Sequence, residues 1–233
     1  MLVCGVTTPL NVDIGPQRRF DWLRLDLAEV KEIKGKLGGT LNDVVLATVA
    51  GAVRRFLEGR GVGVDELPFR AQVPMNIRTA EEHGDLGNRV VILLADLPVA
   101  EADPRERYQK VLATMEQIKS SHQAKGAELL EKIGDWTAKE FLGALARITG
   151  RQLAYNIVVT NIPGPPFPVS LLGARMTEIY PLVPLFSNQA LGIALFSYDD
   201  GLFWGFNSDW DAMPDLHDFV GAVQSEFALL RSL

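Results

Sequence analysis

Residues Gly38–Leu57 read GGTLNDVVLATVAGAVRRFL, a glycine pair, a hydroxyl residue and then an almost unbroken apolar run. Thr40-Leu41-Asn42-Asp43 has the form of a capping box, with an acid three residues after the hydroxyl, so a helix starts at Thr40. Such a cap is typically worth about 1 kcal/mol. The first three turns carry hardly any polar residue, which predicts a helix enclosed on most sides. An enclosed helix needs layers around it, and the flanking sequence supplies them. Upstream, Arg19–Leu25 alternates like a half-buried strand, and Leu27, Val30, Ile33 and Leu37 recur at helical spacing before Gly38-Gly39 ends that helix. Downstream, Phe69–Asn76 reads as a strand, and Arg89–Leu97 as a second whose continuous VVILLA suits burial on both faces.

Pro104 fits the first turn of a long polar helix reaching about Lys125, and Glu128–Gly150 reads as one or two further helices. Strands are predicted at Tyr155–Asn161 and Thr177–Pro184, then as a hairpin over Ala190–Ser208 turning at Asp199-Asp200-Gly201. A last helix spans about Pro214–Leu230, with Leu216, Phe219, Val220, Val223, Phe227 and Leu230 on one face. Strands and helices interleave without repeat, low-complexity tract or long linker. The expected architecture is α/β, a two-layer sandwich with a mixed sheet, in a single domain over residues 1–233.

The chain has 233 residues, 47% hydrophobic and 22% charged, enough to bury roughly 70–75% of its unfolded surface without staples. Its single cysteine, Cys4, cannot form an internal disulfide, so nothing points to secretion. A net charge of −6, with no basic stripe, argues against nucleic-acid partners. The N-terminus lacks the charged start of a signal peptide, and the longest near-apolar stretch, Val44–Val53, is far below the roughly 20 residues of a membrane span. A cytoplasmic protein is expected, and any membrane contact would be peripheral.

No complete catalytic constellation is visible. The three histidines, His83, His122 and His217, have no partner at a recognised metal spacing and read as solvated or helix-terminal. Three backbone motifs stand out instead. Asn42-Asp43 either caps its helix or, as a well-held turn, supports a neighbouring site. In Tyr155–Pro165, YNIVVTNIPGP, an apolar run ends at Asn161, and Pro163-Gly164-Pro165 stops the strand. Proline fixes φ and removes donors, and Gly164 is free to take a positive φ, so the strand end is rigidly placed. It is either a structural turn or a place to hold a ligand. In Phe69–Arg78, FRAQVPMNIR, Arg78 either meets an anionic group or forms a surface ion pair with Asp85 or Glu81.

In order along the chain, GGTLNDVVLATVAGAVRRFL, FRAQVPMNIR, LGNRVVILLADLP, NIVVTNIPGP, TEIYPLVPLFSNQALGIALFSYDDGLFWGFNSD and the closing amphipathic helix resemble the C-terminal domain of bacterial wax ester synthase/diacylglycerol acyltransferases, from about Thr8 to Leu230. The resemblance implies one lobe of a chloramphenicol-acetyltransferase-like fold, in the superfamily of CoA-dependent acyltransferases. It implies transfer of a fatty acyl group from acyl-CoA, a substrate rather than a cofactor, to a long-chain alcohol or diacylglycerol. In that family an HHxxxDG motif on the N-terminal lobe removes the hydroxyl proton. This sequence contains no HHxxxDG, so no catalytic residue is assigned in it, and a partner lobe in cis or trans is expected. A fragment, a split enzyme and a lobe kept for another task all fit. By resemblance, Asn42 and Asp43 match the family's ND motif, and Asn161, Pro163, Gly164 and Pro165 its N-x-P-G-P turn, both as supports of the interlobe tunnel. Ser187 and Asn188 fall where the acyl or alcohol pocket is shaped. The strands Val90–Ala95 and Leu191–Phe196 would supply core or tunnel wall. The alternatives of another class are a non-catalytic lipid- or acyl-binding module and a dimerising interaction domain.

Overall fold

The computed structural model describes residues 8–76, 90–129 and 155–233. Its elements are β1 (Arg18–Asp26), α1 (Leu27–Leu37), α2 (Leu41–Gly59), β2 (Phe69–Asn76), β3 (Val90–Leu97), α3 (Pro104–Leu129), β4 (Ile157–Pro163), β5 (Ser170–Leu171), β6 (Ala174–Arg175), β7 (Leu191–Tyr198), β8 (Gly201–Asp209) and α4 (Leu216–Arg231). Among the described residues, six strands form one sheet in the order β1-β8-β7-β4-β2-β3, while β5 and β6 make a small hairpin. β4 runs parallel to both β2 and β7; the other neighbours are antiparallel. The sheet is therefore mixed, as expected. The segment Glu128–Gly150, read as helical from sequence, falls almost wholly outside the described residues.

One face of the sheet packs against the helices. Leu23, Trp204, Ile193, Val159, Ala71 and Leu93 project from successive strands into a core shared with α2 and α4. Phe219 of α4 meets Phe206 and Phe56 edge-on at 6.0 and 5.4 Å between ring centroids. α2 is buried continuously from Asp43 to Val53, the enclosure that its composition predicts. One charged cluster enters this layer. Glu226 of α4 pairs with Arg107 of α3 and Arg55 of α2 where the three helices meet, beside Gly51, whose position leaves no room for a Cβ. Removing one partner of such a pair would strand a buried charge.

The opposite face is built differently. Gly192, Ala194 and Gly205 leave a shallow strip along β7 and β8, and the chain between Met176 and Gln189 lies across it. A Cβ on Gly205 would strike the carbonyl oxygen of Pro181, and one on Gly192 would come within 2.7 Å of Val183 Cγ1. Asn207 Nδ2 donates to Val183 O at 2.9 Å. The strand expected over Thr177–Pro184 is not formed. The segment lies on the sheet face, with Pro181 against Gly205 and Val183 against Gly192, and Pro181 and Pro184 have no N–H with which to join a ladder. The two-sided burial expected for VVILLA is also not found. β3 is an edge strand in which Leu93, Ala95 and Leu97 are buried, while Leu94 and Asp96 are exposed.

Because this covering depends on glycine at the crossing, Gly205→Ala should lower unfolding free energy by about 1–3 kcal/mol in urea denaturation, the usual range for overpacking. Unchanged stability would show that Pro181 does not rest there.

Candidate functional site

The start of α2 is fixed by a reciprocal cap. Thr40 N and Thr40 Oγ1 each donate to Asp43 Oδ2 at 2.7 Å, and Asp43 N donates to Thr40 Oγ1 at 3.4 Å. The approach to it runs through Gly38 and Gly39, with φ of 84° and 81°, a region that favours glycine. Gly39 also packs so closely on Asp43 and Leu112 that a side chain there would collide. Tyr108 of α3 reaches in and donates its hydroxyl to Gly38 O at 2.7 Å. Burial, followed by the nearby Asp43 carboxylate, pushes the Tyr108 phenol up to about 12. Asp43 is 2% exposed, and its Oδ1 has no partner among the described residues. The capping role is thus visible directly. Asn42, half-buried in the first turn, is the residue this lock presents.

The second motif closes β4. Asn161 follows Ile157 and Val159 on the helix-facing side and lies half-buried opposite Leu195, while Ile162 points to the other side and is exposed. Gly164 N donates to Ser197 Oγ at 3.2 Å, and Asp199 N donates to Pro165 O at 3.1 Å. Glycine is required at 164 for a reason other than the one read from sequence. Its φ is not positive; a Cβ would strike the Phe196 ring and the Ser197 carbonyl.

These two motifs share one end of the sheet. After α2, Arg60 donates to Ala212 O at 2.9 Å and to Asp215 Oδ2 at 3.0 Å. Both acceptors follow β8, whose last residues pair with the start of β7. The 19-residue α2 is about 28 Å long at 1.5 Å per residue, so it begins toward the far end, where β4 and β7 finish. In open α/β sheets, ligands bind beyond these carboxyl ends of parallel strands.

Ser187 and Asn188 are not brought there. They are exposed and precede β7, at the opposite end of the sheet. Asn188 has φ 64°, and its carbonyl accepts from Asn11 Nδ2 at 3.2 Å. Asn11 belongs to a buried polar network that sequence reasoning missed. Its Nδ2 also donates to Asn156 O at 3.2 Å, and its Oδ1 accepts from Asn156 Nδ2 at 2.7 Å and Thr8 Oγ1 at 2.8 Å. Asn156 Oδ1 in turn accepts from Arg70 N at 2.8 Å. An asparagine just ahead of an apolar strand was the available signal; its partner 145 positions away was not. Arg78 and His83 lie outside the described residues, and His217 is an exposed helix-start residue with Nδ1 2.8 Å from Asp21 Oδ2. No helix among the described residues is long and apolar enough to cross a membrane.

The fold is shared with the wax ester synthase/diacylglycerol acyltransferase of Marinobacter aquaeolei, at TM-score 0.76 and 23% identity over 98% of this chain and 53% of that one. A more distant likeness, TM-score 0.57 and 16% identity, is to the cyclization-docking bidomain of the nonribosomal peptide synthetase EpoB from Sorangium cellulosum, covering 92% of this chain and 41% of that one. Both are likenesses of fold. Residues 86–231 match the WS/DGAT C-terminal domain, and residues 3–45 match the wax ester synthase/diacylglycerol acyltransferase catalytic domain; the chain belongs to the wax ester synthase/diacylglycerol acyltransferase family. A Mycobacterium tuberculosis protein with a provisional diacylglycerol O-acyltransferase name is 34% identical over 90% of this chain and 42% of its own length. The O-acyltransferase WSD of Acinetobacter baylyi is 28% identical over 96% of this chain and 48% of its own. The chain spans about half the length of the curated relatives it matches.

The Tyr108 phenol gives a pH signature for the α2 lock. Its folded value of about 12 lies above the unfolded value near 10, so its contribution is complete below pH 10 and lost as pH rises through 12. Tyr108→Phe should flatten this part of the alkaline decline in urea-measured stability, while lowering stability at neutral pH through loss of the bond to Gly38.

Proposed function

We propose that this chain acts as the C-terminal half of an O-acyltransferase that moves a fatty acyl group from acyl-CoA to a long-chain alcohol or diacylglycerol. The observation that carries the reading is the family match over residues 86–231, joined to the absence of HHxxxDG from the 233-residue sequence. In this reading a second lobe, in cis or in trans, supplies the histidine base. The base takes the proton of the acceptor hydroxyl, the resulting alkoxide attacks the thioester carbonyl, the C–S bond breaks, and the CoA sulfur takes that proton back from the base to leave as the thiol. A positioned base is typically worth about 10²–10⁴-fold, so the chain alone would retain little activity.

Its own contribution is one wall of the passage. The carboxyl ends of β4 and β7 and the first turn of α2 bound it, with Asn42 and Asn161 offering neutral amide donors and acceptors on rigid supports. Asp43 maintains the turn that carries Asn42. Ser187 and Asn188 lie at the other end of the sheet, and any influence on chain-length choice would act there. The lipid acceptor implies peripheral approach to a membrane or inclusion from the cytoplasmic side.

A second reading, a non-catalytic acyl-binding or interaction module, draws on the apolar side chains left in the open. Phe167, Leu171, Leu172 and Leu182 are 61%, 75%, 100% and 59% exposed. Large apolar side chains exposed in this number ask for a covering body or ligand.

Co-expression with an HHxxxDG lobe that is active only when paired separates the two. Ester should form from palmitoyl-CoA and hexadecanol or diacylglycerol with both parts present, fall at least about 100-fold with either alone, and vanish when the base histidine is replaced. No ester with a lobe proven competent would overturn the acyltransferase reading; acyl chains copurifying with the inactive protein would then support the binding module.

A further inference from the structure

The last three residues of β7 and the first of its turn all act on one neighbouring segment. The Phe196 ring closes against Gly164, and Ser197 Oγ accepts the Gly164 N–H at 3.2 Å. Tyr198, only 2% exposed, uses its hydroxyl twice, accepting from Val169 N at 2.8 Å and donating to Met176 O at 2.9 Å. Val169 O in turn accepts from Met176 N at 2.9 Å, so this hydroxyl bridges the two legs of the β5–β6 hairpin at its base. Asp199 completes the set: its N–H donates to Pro165 O at 3.1 Å, and its carboxylate pairs with Arg175 at 2.9 Å. Four consecutive residues thus bind both the Gly164–Pro165 turn and the hairpin behind it. Beyond this base the hairpin turns at Leu172 and Gly173, with φ of 51° and 84°, and presents its leucines outward.

Most of these bonds run to a surface segment and away from the helix-packed core. A protruding turn rich in proline and held at so many points is an arrangement for placing something. The rings of Tyr198 and Phe203, with centroids 6.4 Å apart, pack whether or not the hydroxyl is present. We propose that Ser197 and Tyr198 are positioning residues that hold the N-x-P-G-P turn and the following hairpin as one rigid ledge beside the acyl-transfer passage, an inference that rests on the function proposed above. Neither side chain takes part in the chemistry. Each acts through the segment it holds: Ser197 on the strand end next to Asn161, and Tyr198 on the apolar hairpin.

Two readouts test this separately. In the chain alone, the Val169 amide should exchange with solvent about tenfold faster in Tyr198→Phe, and the Gly164 amide about tenfold faster in Ser197→Ala, the scale of one lost hydrogen bond. The urea midpoint should move little, and Ser197→Thr, which keeps the oxygen, should restore Gly164 protection. In the enzyme reconstituted with the HHxxxDG lobe, both Tyr198→Phe and Ser197→Ala should lower kcat about tenfold with KM within about threefold, the pattern of a misplaced reacting geometry. Ser197→Thr should recover kcat. Unchanged exchange would overturn the ledge. Faster exchange with unchanged kcat would overturn its positioning role while leaving the acyltransferase reading standing. If the unmutated reconstituted protein makes no ester, that reading fails, and so does a role for the ledge in acyl transfer.

Discussion

The parallel seam between β4 and β7, Val158–Pro163 against Gly192–Ser197, is the constraint on which the rest depends. It sets the direction of the sheet's centre and makes both strands finish at the same end. It also brings Ser197 and Asp199 beside the Gly164–Pro165 turn, so that the turn is held by a neighbouring strand as well as by its own prolines. On the helix side, the same pairing aligns Val159 and Ile193 under α2 and α4. A one-residue slip would turn Asn161 to the other face and place a side chain where only Gly192 fits.

The two faces of that seam serve different ends. The helix face is bulky and close-packed, and a charged cluster, Glu226 with Arg107 and Arg55, ties three helices together. The opposite face is thinned by Gly192, Ala194 and Gly205 so that an irregular, proline-bearing segment can lie on it. An irregular segment can carry exposed apolar residues without belonging to the core. The sheet thereby supports both a rigid turn and a hairpin that leaves Leu171 and Leu172 exposed.

Much of the fold was legible because local rules and burial agreed. The capping box at Thr40, the apolar course of α2, the alternation of β1, the β7–β8 hairpin and the face of α4 each read correctly from spacing alone. The Thr177–Pro184 segment misled because its apolar residues mark burial, while its prolines rule out pairing; composition shows the first more loudly than the second. VVILLA misled because an edge strand can carry apolar residues outward. For the site, the N-x-P-G-P turn was visible as a strand stop, but the reason for Gly164 was not, since it depends on Phe196 and Ser197, more than thirty positions away. The separation of Ser187-Asn188 from the other motif residues, and the Asn11–Asn156 network beside them, are likewise matters of topology that no local pattern encodes.

In the proposed enzyme, chemistry takes place at the carboxyl end of the parallel strands, with this chain as the support and a second lobe as the base. A crystal structure of the chain bound to an HHxxxDG lobe and a non-reactive acyl-CoA analogue tests it most directly. The base histidine and the thioester position are expected to face the end carrying Asn42, Asn161 and the Gly164–Pro165 turn. A histidine facing the Ser187–Asn188 end, with the turn remote from the analogue, would contradict it.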